Sequence, residues 1–451
     1  MVEQVEILMS TLSLGCMTTT ADPPRKLGVV SLAALLVAAH YGLGFLLGTG
    51  EQVADRGIIG TLYAVSIALG TFLLLLALAR FYWHRHEQIW TLLGNQYGEG
   101  VRFGVGVLSW ASLIGIGAVQ IIGGAATLSV IGLPTVPVMV GLAIAFVIIA
   151  QLPIEQASWV LRGLLLFNIL ILVYGLISLQ GLPVYVRSPL EFVQSFDSQP
   201  FGYSAGIAVS TLLLVQVDMK YQQFLVQARD LRTLYLGCSL AGLILILLAF
   251  IPAVLVQVAQ TTDILPPGIA SKAVIPQILL WLGHSYPGLG LIFVLSLVIP
   301  ALGLGSSILR VQAKTVFDLG LVAQNPVTRL LVPALNGALA LAIALQGGSI
   351  IGLIASFYAA YASAVWVPFA GYLFQEIRGW ELSKLGANVS LGLGSLGGFG
   401  TLFLTLLKPE LILWNSAELM ILAVGFSFGV VGLVLGEAID RVRSAQIQLS
   451  E

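Results

Sequence analysis

Charged side chains are scarce in this sequence. Asp, Glu, Lys and Arg make up 9% of its 451 residues, against about 25% in a soluble globular chain. That scarcity excludes a domain kept in water by a charged surface. Cysteine is nearly absent. Cys16 and Cys238 stand far apart with no ligand spacing, which argues against a disulfide framework or a cysteine metal centre. Signatures of nucleotide use and hydrolysis are missing as well. The glycine-rich stretches GLGFLLGTG (42–50) and GLGSLGGFG (392–400) lack the lysine followed by serine or threonine that cradles phosphate. With no HExxH and no Ser–His–Asp pattern, an enzyme or an ATP-driven pump has no chemical footing. A net charge of −1 leaves no basic footprint, and no nucleic-acid partner is expected.

Apolar residues fill the space that charge leaves, at 58% of the chain. Their runs approach the length that crosses about 30 Å of hydrocarbon. They predict an all-α polytopic membrane protein of about twelve spans, over 28–50, 57–82, 102–128, 134–152, 156–182, 202–227, 231–259, 286–312, 328–346, 349–375, 386–408 and 417–438. Lys and Arg gather on alternate connections. One side collects Arg25, Lys26, Arg80, Arg85, Arg102, Arg162, Lys220, Arg229, Arg232, Arg310, Lys314, Arg329, Arg378, Lys384, Arg441 and Arg443. The other keeps Arg56, Arg187, Lys272 and Lys408. The positive side faces the cytoplasm in multi-pass proteins, so both termini are expected there, in a cell inner (plasma) membrane. Translation is expected to start at Met1 or Met17, and residues 1–16 carry no assigned function.

Two spans are interrupted. The first contains AAHYGLGFLLGTG (38–50), whose glycines each weaken a helix by about 1 kcal/mol relative to alanine. The sixth reads LLLVQVDMKYQQFLVQAR (212–229), with Gln216, Asp218, Lys220, Gln222 and Gln223 where apolar residues should continue. A carboxylate in hydrocarbon is costly unless it faces a cavity or a partner. At 1.5 Å per residue, Asp218 lies about 25 Å along a helix that starts at Phe201. A straight helix therefore carries it to the inner interface, and a break before it keeps it deeper. The interruptions occupy the first and sixth spans, five apart, as in inverted-repeat transporters whose broken helices meet at the binding site.

Several segments carry a family resemblance. AAHYGLGFLLGTG, WTLLGNQYG (90–98), VDMKYQQFLVQARDLRTLYLG (217–237), IASKAVIPQIL (269–279), the stretch ending SSILRVQAKTVFDLG (306–320) and WVPFAGYLF (366–374) are similar to motifs of the sodium:solute symporter family. The chain resembles a divergent member. The resemblance implies a LeuT-type fold: a five-helix repeat over 28–182, an outer loop over 183–201, a second repeat over 202–376 and two further helices over 377–438. A leader (1–27) and a tail (439–451) would be cytoplasmic. It implies a secondary active transporter, a cation-coupled symporter of a small polar organic solute, in which helices 1, 2, 6 and 7 rock against 3, 4, 8 and 9.

Carried over residue by residue, the solute positions fall on Gly42, Gly44, Phe45 and Asp218. A sodium site would use carbonyls at Ala38 and Tyr41 and side chains at Leu302 and Gly303, which bear no hydroxyl. Ser306 and Ser307 lie one turn on. The chain departs from the family at Phe224, where an arginine is usual. His40 or Asp218 would carry a proton if protons replace sodium, and His40 reads equally as a packing residue. Glu51 and Asp55 read as solvated, Glu376 as a cap of the tenth helix beside Arg378, and Tyr358 and Tyr361 as packing or cavity residues. Beyond lipid, a small solute and a coupling sodium ion or proton, no cofactor or metal is expected, and the oligomeric state is open. The alternatives are a sodium-independent or proton-coupled carrier on the same scaffold, and a transport-inactive sensor or structural membrane protein.

Overall fold

The computed structural model describes residues 27–450 except 153, 263, 287 and 380. The expected leader, with Met17, Cys16, Arg25 and Lys26, lies outside the described residues apart from Leu27. Among the described residues, twelve main helical units follow in chain order, with shorter helices Ile89–Tyr97, Leu182–Gln194 and Val274–Leu282 between them. α1 consists of Val29–His40, a π-helical turn Gly44–Gly48 and Thr49–Arg56; α2 of Leu62–Ala77 and Ala79–Arg85. Then come α3 (Glu99–Ser129), α4 (Thr135–Ala150), α5 (Ile154–Ser178), α6 (Phe201–Val217 with Met219–Leu225) and α7 (Leu231–Thr261). α8 is Leu289–Asp318, α9 Pro326–Gln346, α10 Ile350–Arg378, α11 Lys384–Leu407 and α12 Ala417–Ser450. Among the described residues, β structure is confined to one isolated bridge between Leu27 and Ala228.

Eight described helices are long and apolar enough to cross a membrane, or ten when each of two bent pairs counts as one span. The expected count of twelve is therefore approximate: Val29–His40 and Thr135–Ala150 are short, although apolar. On α4, Val136, Val140, Ile144 and Ile148 are exposed at every fourth position, forming one lipid-suited stripe. Leu69, Leu73 and Leu76 form another on α2.

Local chemistry sets the boundaries. Asn325 caps α9 with a complete capping box, and Pro326 opens the helix where its missing N–H costs nothing. Asp230 caps α7 through the Thr233 N–H at 2.7 Å. Between α1 and α2 the chain reverses at Gly57, whose φ of +74° a side chain would oppose.

Some expected bounds shift. The first span continues to Arg56, and α12 continues to Ser450, through the expected tail. The expected outer loop 183–201 is mostly helix, Leu182–Gln194, bent 101° from the end of α5. Pro183 lies in the first turn, where its missing N–H costs nothing, and an amphipathic pattern completes the helix.

α1, α2, α6 and α7 pack as one group, with α7 against α1 and α2, and α6 against α2. α3, α4, α8 and α9 pack as the other. α10 lies against α3 and α6, and with α11 and α12 it forms a closely packed trio. The breaks of α1 and α6 therefore lie in the same packing group.

Candidate functional site

The first half of α1 ends at His40. Tyr41 leaves helical geometry (φ −79°, ψ 76°), and the Gly42 N–H turns back to the His40 carbonyl at 2.9 Å. The helix resumes as a π turn. A side chain at Gly42 would meet Leu304 of α8, and one at Gly44 would strike Ile354 of α10. These glycines admit neighbouring side chains, so α8 and α10 close directly on the break.

α6 breaks as well, and Asp218 is the break. Its backbone is extended (φ −77°, ψ 123°), and the helix bends by 43° there. The freed carbonyls find partners, as buried backbone must. Tyr82 donates its hydroxyl to Gln216 O at 2.9 Å, and Tyr361 donates to Val217 O at 3.4 Å. Gln216 in turn donates to Gly70 O at 3.0 Å. Tyr361 thus supports the break rather than lining the cavity.

A buried cavity lies where the two breaks meet. Ala39, His40, Gly42, Gly44, Phe45, Tyr63, Ile67, Ile116, Gln120, Lys220, Tyr221, Leu304, Ile354 and Tyr358 line it. Its free volume of about 20 Å³ has room for about one water. Leu304 sits near the midpoint of the 30-residue α8, so the cavity is level with the middle of that helix. The break at Asp218 sets Lys220 and Tyr221, in the first turn of the following short helix, beside this level.

Asp218 itself does not line the cavity. Its Oδ1 accepts the Lys220 N–H at 2.9 Å, and its Oδ2 lies 3.1 Å from Lys220 Nζ. The two side chains are 11% and 13% exposed. Lys220, counted in sequence among cytoplasmic surface charges, is a cavity residue. Its ammonium lies 5.6 Å from the ring centre of Tyr221 and 5.9 Å from that of Tyr358, within cation–π reach. His40 is buried, stacks on Tyr221 at 4.2 Å and shares a 2.8 Å hydrogen bond with its hydroxyl through Nδ1. Phe45 is buried at the cavity wall, 5.7 Å from the Tyr41 ring.

The positions carried over for sodium are arranged differently. Leu302 and Gly303 offer no side-chain oxygen. Ser306 and Ser307 turn their hydroxyls back along α8, both donating to Gly303 O, at 3.1 and 2.7 Å. Ala38 is partly buried, one residue outside the cavity lining. The Tyr41 side chain points away from the cavity: its hydroxyl donates to Asn168 of α5 at 3.3 Å, and Asn168 donates to Ser296 of α8 at 3.1 Å. A neutral hydrogen-bonded chain thus joins α1, α5 and α8.

Sequence reasoning missed Lys220, Gln120, Tyr63 and Asn168. A signal existed for two of them: Gln120 and Asn168 are lone amides inside apolar runs, GAVQIIGG and LLLFNILIL. Glu51, expected to be solvated, is buried. Its carboxylate accepts the Ile350 N–H at 2.7 Å at the start of α10, because the first span runs one turn further than expected. Asp55 is exposed and takes a hydrogen bond from Ser271. Glu376 pairs with Arg85 of α2 and accepts from Tyr372 at 3.3 Å. The Arg378 side chain lies outside the described residues.

No protein-family model matches the chain, and no curated protein matches it. Among solved structures it is similar to a Na⁺-coupled sialic acid symporter in a substrate-bound, outward-open state. That match has a TM-score of 0.61 at 13% identity, covering 96% of this chain and 95% of the other. It is also similar to a manganese transporter of Eremococcus coleocola, with a TM-score of 0.53 at 11% identity over 94% of this chain and 99% of that one. At such identities the likeness is one of fold, and the chain has the LeuT-type fold of these membrane transporters.

Proposed function

We propose that this protein is a secondary transporter that carries a small polar organic solute across the membrane by alternating access. The observation that carries the reading is the convergence of two broken helices, α1 and α6, on one buried polar cavity. Unwound backbone is tolerated at membrane depth where it lines a cavity, and broken helices of this kind hold the solute in inverted-repeat carriers. The symporter and the manganese transporter that share the fold support the same class. In this reading residues 28–182 and 202–376 form the two repeats, and 377–438 add two helices. Both termini are cytoplasmic, in a cell inner (plasma) membrane. The α1, α2, α6, α7 group rocks against α3, α4, α8 and α9. Gly42, Gly44 and Phe45 shape the solute cavity, and Asp218 acts on it through Lys220. Uptake into liposomes containing the purified protein tests this. Solute accumulation under an ion gradient is expected, and a broad solute set that yields neither uptake nor exchange favours a transport-inactive membrane protein.

A second reading concerns the coupling ion. Leu302 and Gly303 present no side-chain oxygen, and the Ser306 and Ser307 hydroxyls, one turn on, fold back onto the Gly303 carbonyl of α8. This favours a carrier that does not hold sodium between α1 and α8, coupled instead to protons through His40 or the Asp218–Lys220 pair. Replacing sodium with potassium should leave uptake unchanged, and collapsing the proton gradient should abolish it. The opposite pattern restores sodium as the coupling ion.

A further inference from the structure

We infer that the central cavity recognises a small solute bearing a carboxylate and an adjacent hydrogen-bond donor, that is, a hydroxy acid or an amino acid. Lys220 receives the carboxylate and Gln120 receives the donor. The assignment rests on the transporter reading for its functional meaning, and it names the solute class that reading left open.

Charge placement gives the first argument. No Asp or Glu lines the cavity, whereas the Lys220 ammonium does. Asp218 stands behind it, with one carboxylate oxygen on the Lys220 backbone N–H and the other on Nζ. Of the pair, Lys220 alone lines the cavity, its ammonium 5.6 and 5.9 Å from the ring centres of the lining residues Tyr221 and Tyr358. An ammonium has three N–H donors, and Asp218 accounts for one. A carboxylate arriving from the cavity side finds the others, in a setting where charge-assisted hydrogen bonds are strong. A cationic solute would meet a like charge there.

The second argument is independent. Gln120 is 1% exposed, lines the same cavity, and its Oε1 has no hydrogen-bond partner. A buried acceptor is expensive to leave unmade. Because residue 42 is glycine, the break of α1 packs directly against this amide: a β-carbon there would lie 3.7 Å from Gln120 Oε1. A plain carboxylate satisfies Lys220 and leaves Gln120 idle. A solute with a hydroxyl or amino group beside its carboxylate satisfies both. Neither group is reached by an apolar solute. The closed cavity holds about one water, so the solute enters when the two helix groups part.

Thermal unfolding of the purified protein in nanodiscs, with glycolate, acetate, methylammonium or glycerol at matched ionic strength, tests the assignment. Glycolate should raise the melting temperature most, acetate less, and the other two not at all. Lys220→Met alone would strand Asp218, so the informative variant is Lys220→Met with Asp218→Asn, in which no charge is left unpaired. Its affinity for glycolate should fall by about tenfold or more. Gln120→Leu should keep the acetate response and lose the advantage of glycolate over acetate. Three results would overturn the assignment: no response to any of the four compounds, methylammonium or glycerol matching glycolate, or a glycolate response undiminished in the double variant. A separate readout isolates the transporter reading. Ile67→Cys, in a background without native cysteines, is labelled in sealed vesicles by an impermeant thiol reagent from each side. Labelling from both sides keeps alternating access standing even if glycolate fails, and labelling from one side only removes it.

Discussion

His40 Nδ1 and the Tyr221 hydroxyl lie 2.8 Å apart, with their rings stacked at 4.2 Å. This contact joins the end of the first half of α1 to the helix that follows the break of α6. Two interrupted helices are thus tied where neither has a continuous backbone ladder. Removing the hydroxyl in Tyr221→Phe keeps the stack and deletes the hydrogen bond. A loss of about 0.5–1.5 kcal/mol is expected. Equilibrium unfolding in detergent measures it, and an unchanged midpoint would mean that stacking alone ties the breaks.

The Asp218–Lys220 pair is largely buried. Breaking such a pair strands a charge and costs about 3–5 kcal/mol, whereas replacing both members is often neutral. Asp218→Asn should therefore destabilise more than Asp218→Asn with Lys220→Met. A double variant less stable than the single one contradicts this.

Gly44 has no space for a β-carbon because Ile354 already occupies it. Gly44→Ala should cost about 1–3 kcal/mol through overpacking. Adding Ile354→Ala should recover part of that loss. Additive losses in the double variant would show that backbone strain, not the Ile354 contact, sets the cost.

Glu51 accepts the Ile350 N–H at the start of α10, so it joins α1 to α10. Glu51→Ala leaves that donor buried and unmet, for an expected loss of about 1–3 kcal/mol. Glu51→Gln retains an acceptor oxygen and should lose less. Comparing the two variants by thermal unfolding checks the order.

Asp230 lies just outside α7, and the Thr233 N–H holds its carboxyl below the usual carboxylate range. A depressed value in the folded state makes the cap stabilising above the unfolded value of about 3.9. That contribution fades as pH falls through the lower folded value. The stability gap between the parent and Asp230→Ala should accordingly narrow between neutral pH and about pH 3. A constant gap would assign the effect to an uncharged hydrogen bond.

The helical architecture was legible because apolar run length is a strong signal that needs no tertiary context. Both breaks were legible too, as glycines in α1 and as misplaced polar residues in α6. The role of Lys220 was not. Positive-residue counting treats every lysine as a surface charge, and only the extended residue at 218 turns 220 inward. The count of about 25 Å from Phe201 to Asp218 keeps its basis, since Phe201–Val217 is one continuous helix and the break comes at its end. Glu51 was misjudged because its partner, the Ile350 N–H, is about 300 residues away in sequence. Gln120 was overlooked although it stands as a lone amide in an apolar run, because the run does not show which helices face it.

The smallness of the central cavity has a kinetic consequence. A conformer with room for about one water cannot itself be the form that captures a larger solute. The apparent dissociation constant then equals the intrinsic one divided by the fraction of molecules in the open form. Trimming a wall residue such as Leu304 would change measured affinity by changing that fraction, with Lys220 and Gln120 left in place.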